Sequence, residues 1–291
     1  MLTTDEIREA FLRFFEERQH LRRPSASLIP ADDPTLLFTT AGMVQFKPYF
    51  MGRAEPPATR MTTVQRCFRT TDIEDVGDSS HHTYFEMLGN FSVGDYFKAE
   101  AIPWAWEFCT QVLKLDPERL HATVYTDDDE AYNLWIEQGV PRERLWRYTE
   151  EQGNYWTSGP VGPCGPCSEL HYDFADPATR PPEIHPDNDP DGRFLEIWNL
   201  VFMSFMQQED GSRTPLPFNN IDTGAGLERV ARAVQHKLTT YETDGLRGLT
   251  DIATSLIDRR YGDDPQADLV ARVVVDHARA AAYLINDGVL P

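Results

Sequence analysis

A chain of 291 residues, 41% hydrophobic and 25% charged, can bury a full globular core, as one large domain or one domain plus a smaller unit. No apolar run approaches the roughly 20 residues of a membrane span, and the acidic, amphipathic start MLTTDEIREAF is unlike a secretory signal, so a cytoplasmic protein with no membrane partner is expected. The formal net charge of −20 weighs against a broad nucleic-acid surface but not against a local basic pocket, and four cysteines are too sparse for a disulfide framework.

In chain order, Thr3 to Gln19 reads as a helix, with Thr3 and Glu6 as a capping box and Ile7, Ala10, Phe11, Phe14 and Phe15 on one face. Pro24, Pro30 and Pro34 punctuate an extended segment, and Leu36, Leu37 and Phe38 suggest a short buried strand. Val64, Cys67 and Phe68, then Tyr84, Phe85, Met87 and Leu88, suit two strands of an antiparallel hairpin. The loop between them is acidic and turn-forming: Asp72, Glu74, Asp75, Gly77, Asp78, Ser79 and Ser80. Arg69 closes the first strand and His81 and His82 open the second. An arginine there either grips a planar anion such as a carboxylate or phosphate, or merely neutralises the loop.

A helix is expected from Ile102 to Leu115 with Pro103 in its first turn, a strand over His121–Thr126, and a helix from Asp127 to Gln138 stopped by Gly139. Gly153 to Glu169 reads as a Gly- and Pro-rich loop. Its Cys164 and Cys167 lack the second pair a zinc site needs, so no zinc is expected. Asp187 to Gly192 resembles half a calcium loop, but Trp198 stands where the bidentate Glu should be, leaving a solvated turn. Phe194 to Phe205 is the strongest strand, with Ile197, Asn199 and Val201 on one face and Glu196, Trp198 and Leu200 on the other. A polar Asn199 between apolar neighbours is either hydrogen-bonded in the core or faces a ligand. Leu216 to Ile221 forms another strand, ended by Asp222, and Gly224–Gly226 starts a helix through about Lys237. Helices Gly245–Arg260 and Pro265–Asn286 follow. Clustered strands with helices at the ends argue α+β around an antiparallel sheet. Neither GxxxxGK[ST] nor GxGxxG occurs, so the P-loop and Rossmann routes to nucleotides are absent.

Arg69, the loop and then His81-x-x-x-Phe85 resemble the second signature motif of class II aminoacyl-tRNA synthetases. The continuation YFEMLGNFSVGDYFK (84–98), together with IDTGAGLER (221–229), GPCGPCSE (162–169), EIWNLVFM (196–203) and DPTLLFTTAGMVQFK (33–47), is similar to the alanyl-tRNA synthetase family, so the resemblance runs along essentially the whole chain. It implies a class II antiparallel sheet flanked by helices, with residues 1–243 as the catalytic domain and 244–291 as the start of a helical tRNA-recognition region. The sequence would then be a fragment or a naturally short relative, expected to be a monomer. The implied reaction is ATP-dependent activation of L-alanine to alanyl-adenylate with Mg2+, the first step of tRNA(Ala) aminoacylation, with little or no tRNA charging. An alternative is a free-standing ligase that passes its adenylate to a non-tRNA acceptor.

By the same resemblance, Arg69 would hold the α-phosphate and the amino-acid carboxylate, and Arg229 the γ-phosphate and one face of adenine. Phe85 would stack on adenine's other face, and His81, Glu86 and Gly226 would complete the ATP site. Arg69, Trp156, Asn199, Val201, Asp222 and Gly224 would form the alanine site, with Asp222 taking the ammonium and Val201 and Trp156 bounding the methyl pocket. Glu196 resembles an acidic magnesium position, although simple strand alternation turns it away from Asn199.

Overall fold

The computed structural model describes residues 1–30 and 36–290. Helix α1 (Thr4–Glu16) begins with the expected capping box: the Thr3 hydroxyl accepts from the Glu6 N–H (3.2 Å) and the Glu6 carboxylate accepts from the Thr3 N–H (2.8 Å). Then come β1 (Leu21–Arg22), a 3-10 turn (Gly42–Phe46), α2 (Lys47–Phe50), and the hairpin of β2 (Arg60–Phe68) and β3 (Tyr84–Val93). The middle of the chain holds α3 (Lys98–Glu107), β4 (Leu120–Tyr125), α4 (Asp129–Glu137), β5 (Leu145–Tyr148), β6 (Tyr155–Thr157) and β7 (Gly162–Asp173). Two long strands, β8 (Phe194–Gln207) and β9 (Arg213–Gly226), lead into α5 (Leu227–Val234), α6 (Asp244–Ser255) and α7 (Pro265–Asn286).

All nine strands belong to one sheet in the order β1-β2-β3-β9-β8-β7-β4-β5, with β6 beside β7. Among the described residues only β1/β2 and β4/β5 pair in parallel; every other pairing is antiparallel. The class expected from the sequence, α+β on an antiparallel sheet, is what forms. The hairpin closes where the motif places it, with Phe68 opposite Tyr84.

Alternation along the strands sends alternate side chains to two different cores. Leu88, Trp198, Leu200, Ile221 and Ala225 pack with Ile7, Phe11 and Phe15 of α1 and with the α3 and α5 helices. Phe11 and Phe108 both set their rings against Trp198, centroids 5.6 and 5.8 Å away. On the other face, Met61, Phe91, Val201 and Met203 meet Met43, Phe46 and Phe50. Among the described residues no helix is long and apolar enough to cross a membrane.

Four local expectations fail. Leu36–Phe38 forms no strand: Leu37 is exposed, and Phe38 reaches across to the Phe68 ring (centroids 4.7 Å). Pro34, with Asp33 and Thr35 of the same stretch, lies outside the described residues. Helix α3 starts at Lys98, ahead of Pro103, because Glu100 caps the Phe97 N–H (3.3 Å), and it continues as a π-helical turn over Phe108–Val112. Gly153–Glu169 contains β6 and most of β7. Its Gly-Pro density reads as a loop, but Gly165 is there for close approach: a Cβ on it would stand 2.1 Å from the Phe202 carbonyl oxygen. Finally, β9 runs on through Gly226, so Asp222 lies inside a strand, opposite Phe91 and Val201, and does not cap α5.

Candidate active site

A cavity of about 210 Å³ opens on the second face of the sheet, over the N-terminal half of β8, the C-terminal half of β9 and the start of β3. Arg69, His81, Phe85, Trp156, Glu196, Asn199, Val201, Asp222, Gly224, Gly226 and Arg229 all line it. Of the residues singled out from the sequence, only Glu86 is absent from its wall. Strand alternation points Glu86 to the opposite face from Phe85, where Arg8 donates to it through Nε (2.7 Å) and Nη2 (3.0 Å). Its carboxylate, expected to serve the nucleotide, instead lies off the cavity wall and ties α1 to β3.

The two arginines face the same space by different means. Arg69 Nε donates to the Thr40 carbonyl (2.9 Å), and its guanidinium carbon lies 5.1 Å from the Phe85 ring centroid. No hydrogen bond to either Nη of Arg69 occurs among the described residues, so the fork is available to a carboxylate or phosphate. Arg229 projects from the first turn of α5, whose N-terminal end also brings Gly226 to the cavity and adds its partial positive charge. Its Nη1 donates to the Glu196 carbonyl (3.2 Å) and carboxylate (3.3 Å).

Glu196 reaches the cavity through a bulge. Leu170 pairs with Trp198 and His171 with Glu196, which leaves Ile197 as an extra residue in β8. The bulge reverses the alternation at that point, so Glu196 joins Asn199 on the cavity side, contrary to the face count. Glu169, which the sequence reading passed over, stands opposite Asn199 and accepts from its Nδ2 (3.1 Å). Burial first, and then the charge of Glu196, push the Glu169 carboxyl above its ordinary range. Among the described residues no three His, Cys, Asp or Glu side chains form a metal cluster. The donor chemistry nevertheless fits magnesium, which takes one or two carboxylates alongside substrate phosphates. Cys164 and Cys167 have different neighbours: Cys164 Sγ lies 3.8 Å from the Tyr155 hydroxyl, and Cys167 Sγ donates to the Gly153 carbonyl (3.5 Å).

His81 is paired with Asp78, its Nδ1 2.6 Å from Oδ2. Burial opposes the Asp78 charge, but the His81 side chain and the backbone N–H groups of His81 and Ser80 override it and hold the carboxyl below the usual range. That hydrogen bond in turn raises the His81 pKa. A cationic His81 beside Arg229 would favour a polyphosphate. Above the raised pKa that charge is lost, so the apparent KM for a polyphosphate substrate should climb as pH rises from 6 to 9. His81→Gln should flatten the profile, which initial-rate measurements at fixed ionic strength would check.

Asp222 is the sharpest feature. Its side chain is buried, and no donor to its carboxylate occurs among the described residues. Burial alone pushes its pKa up to about 7. Beside it, Gly224 leaves room that Met87 half closes: a Cβ there would meet Met87 Sδ at 2.8 Å. Val201 sits directly opposite Asp222, and Trp156 completes the wall.

The family model described as tRNA synthetases class II (A) matches residues 6–291. The chain belongs to this family. It is 53% identical, over its whole length, to an alanine–tRNA ligase of Fusobacterium nucleatum, and 54% identical, again over its whole length, to one of Dehalococcoides mccartyi. It covers 34% and 33% of those proteins, so it spans about a third of the length of the curated relatives it matches. Among solved structures, the apo histidyl-tRNA synthetase of S. aureus overlaps 82% of this chain and 67% of its own, at 12% identity and a TM-score of 0.46. For a class II synthetase domain, the cavity at β3, β8 and β9 gathers what sequence motifs scattered from Arg69 to Arg229 had suggested separately.

Proposed function

We propose that this chain activates L-alanine with ATP, forming alanyl-adenylate, as the catalytic part of an alanine–tRNA ligase acting in the cytoplasm. The observation that carries this reading is the buried Asp222 carboxylate with no donor of its own, set among Gly224, Val201 and Trp156. A small amino acid answers both halves of that environment: its ammonium neutralises Asp222, and a methyl group suits the narrow apolar wall. The relatives' name, alanine–tRNA ligase, supports the choice of alanine.

In the reaction the alanine carboxylate attacks the α-phosphorus of ATP and pyrophosphate leaves. Two anions approach, so fixed cations are needed where negative charge builds. Arg69 would bridge the carboxylate and α-phosphate, with Phe85 positioning its guanidinium. Arg229 and His81 would take the outer phosphates, and Phe85 and Arg229 would sandwich adenine. Magnesium, held on the Glu196 side, would supply further charge neutralisation on the phosphates. A pocket this small separates substrates weakly: one methylene is worth about 1–3 kcal/mol, so glycine and serine should be activated at reduced rates.

Purified chain should catalyse exchange of labelled pyrophosphate into ATP only when alanine and magnesium are present. No exchange with a folded preparation would refute the reading. Transfer to tRNA is expected to be far slower. The net charge is −20, and three of the five arginines after Asp244 are engaged within the protein: Arg247 with Asp251, Arg272 with the Gly77 carbonyl, and Arg279 with Glu228. Charging of alanine tRNA at low salt, run beside exchange on one preparation, should be at least tenfold slower. Comparable rates would place a sufficient acceptor site within this chain. We further propose that residues 1–243 form the catalytic unit proper, with α6 and α7 opening the helical region.

A further inference from the structure

Asn199 is expected to meet the substrate, but an amide has an accepting end and a donating end, and only one of them suits an ammonium group. The sheet chooses between them. Asn199 pairs across the ladder with Glu169 on one side and Gly224 on the other, two residue pairs from Val201–Asp222 and so on the same face. Its Nδ2 donates to Glu169 Oε1 at 3.1 Å, and His171 Nε2 lies 3.0 Å from the other oxygen, Oε2. With Oε2 against the His171 ring nitrogen and Oε1 accepting from Nδ2, Glu169 holds the NH2 end of the amide. The Glu169 side chain is 14% exposed and that of His171 12%, so water competes little for either contact. The remaining end, Asn199 Oδ1, is buried and has no hydrogen-bond partner. Other buried polar atoms among the described residues also lack a partner, but of those residues only Asn199 lines the cavity, where a bound molecule could supply the donor. In a residue that lines the cavity, near a carboxylate that also lacks a donor, the missing donor has the chemistry of a primary ammonium.

We propose that Glu169, steadied by His171, is a positioning residue that fixes the Asn199 amide with its oxygen end free for the substrate amine. Asn199 and Asp222 then form a two-point acceptor site, and Glu169 acts on substrate only through Asn199. Were the amide reversed, its NH2 group would face the ammonium and repel it. This proposal rests on the reading of Asp222 as the counter-charge of an amino acid.

The test is a kinetic cycle in the pyrophosphate-exchange assay, with KM for alanine and for ATP measured separately. Glu169→Met keeps the volume but removes the acceptors. It should raise the alanine KM at least tenfold while the ATP KM stays within twofold. Glu169→Gln retains one acceptor oxygen and should stay within threefold of the parent protein. In an Asn199→Ala background, Glu169→Met should add less than twofold, because its effect passes through the missing amide. The proposal is overturned if Glu169→Met raises both KM values alike, if its factor is undiminished without Asn199, or if Glu169→Gln is as impaired as Glu169→Met. Should thermal melting show that Glu169→Met does not fold, Glu169→Asp, with the carboxylate withdrawn by one methylene, must give the same selective loss, and its absence overturns the proposal too. A folded parent protein that neither exchanges with alanine nor binds it in calorimetry would instead remove the amino-acid reading on which the proposal stands.

Discussion

Arg69→Ala should reduce alanine-dependent pyrophosphate exchange by roughly 100-fold or more while leaving the thermal midpoint almost unchanged. The guanidinium makes a single hydrogen bond within the described protein, from Nε to Thr40, and a face contact with Phe85. Its loss costs the fold little. In the reaction, the same group offsets the charge that accumulates as the carboxylate meets the α-phosphate. Removing one such contact typically costs about 3 kcal/mol in the transition state. Arg69→Lys should recover only part of the rate, because a point charge cannot bridge two anions as a planar fork does. Circular dichroism melting on the assayed samples separates the outcomes: near-normal exchange would assign Arg69 to the acidic loop, and a collapsed melting curve would assign it to structure.

Asp222→Asn should raise the alanine KM by two to three orders of magnitude at pH 8 and move the ATP KM by less than threefold. A buried ammonium left without its counter-charge costs about 3–5 kcal/mol. The same substitution should stabilise the empty protein. A carboxyl whose folded pKa is raised to about 7 contributes most favourably when protonated, and the folded state loses stability as pH rises from the ordinary carboxylate range toward 7. The gap in unfolding free energy between variant and parent should therefore widen from pH 4 to pH 7 and stay level above it, reaching on the order of 4 kcal/mol. Alanine binding should close that gap, and in the parent the alanine KM should fall as pH rises through 7. Equal loss of affinity for ATP and alanine, or a gap independent of pH, would contradict this account.

The sequence was most legible where local pattern and long-range structure agree. The β2–β3 hairpin could be read because apolar alternation, a turn-rich loop and the Arg69–His81 spacing all point to one arrangement. GPCGPC was misread because glycine serves two needs. Turn formation is visible locally, whereas the approach of Gly165 to the Phe202 carbonyl depends on a strand some 40 residues away. Glu196 was counted onto the wrong face because a single extra residue, Ile197, inverts the alternation, and pairing alone reveals it. Glu169 escaped for a related reason. Once 162–173 is a strand, Glu169 and His171 fall on the face opposite Ser168 and Leu170, but within a supposed loop they carry no direction. Glu86 is the converse case: its nearness to Phe85 in the motif suggested a shared site, but in the regular ladder of β3 neighbouring residues point to opposite faces. Asp276 had no local signal at all. It is buried in α7, accepts from the Thr83 N–H (3.0 Å) and hydroxyl, and lies 3.4 Å from His82 Nδ1, at the threshold of the cavity.

The path of the chain through this sheet also bears on its birth at the ribosome. The Thr4 N–H at the head of α1 donates to the Asp244 carboxylate (3.0 Å), a partner made 240 residues later. Thr83 waits 193 residues for Asp276. At roughly 5–20 residues per second, the first of these intervals lasts about 12 to 50 s. The apolar face of α1 formed by Ile7, Phe11 and Phe15 gains β8 only once residue 207 is made and α5 only once residue 234 is made. The core around α1 therefore closes in stages: Trp104 and Phe108 meet the helix early, and the long strands and α5 complete its cover only late in synthesis.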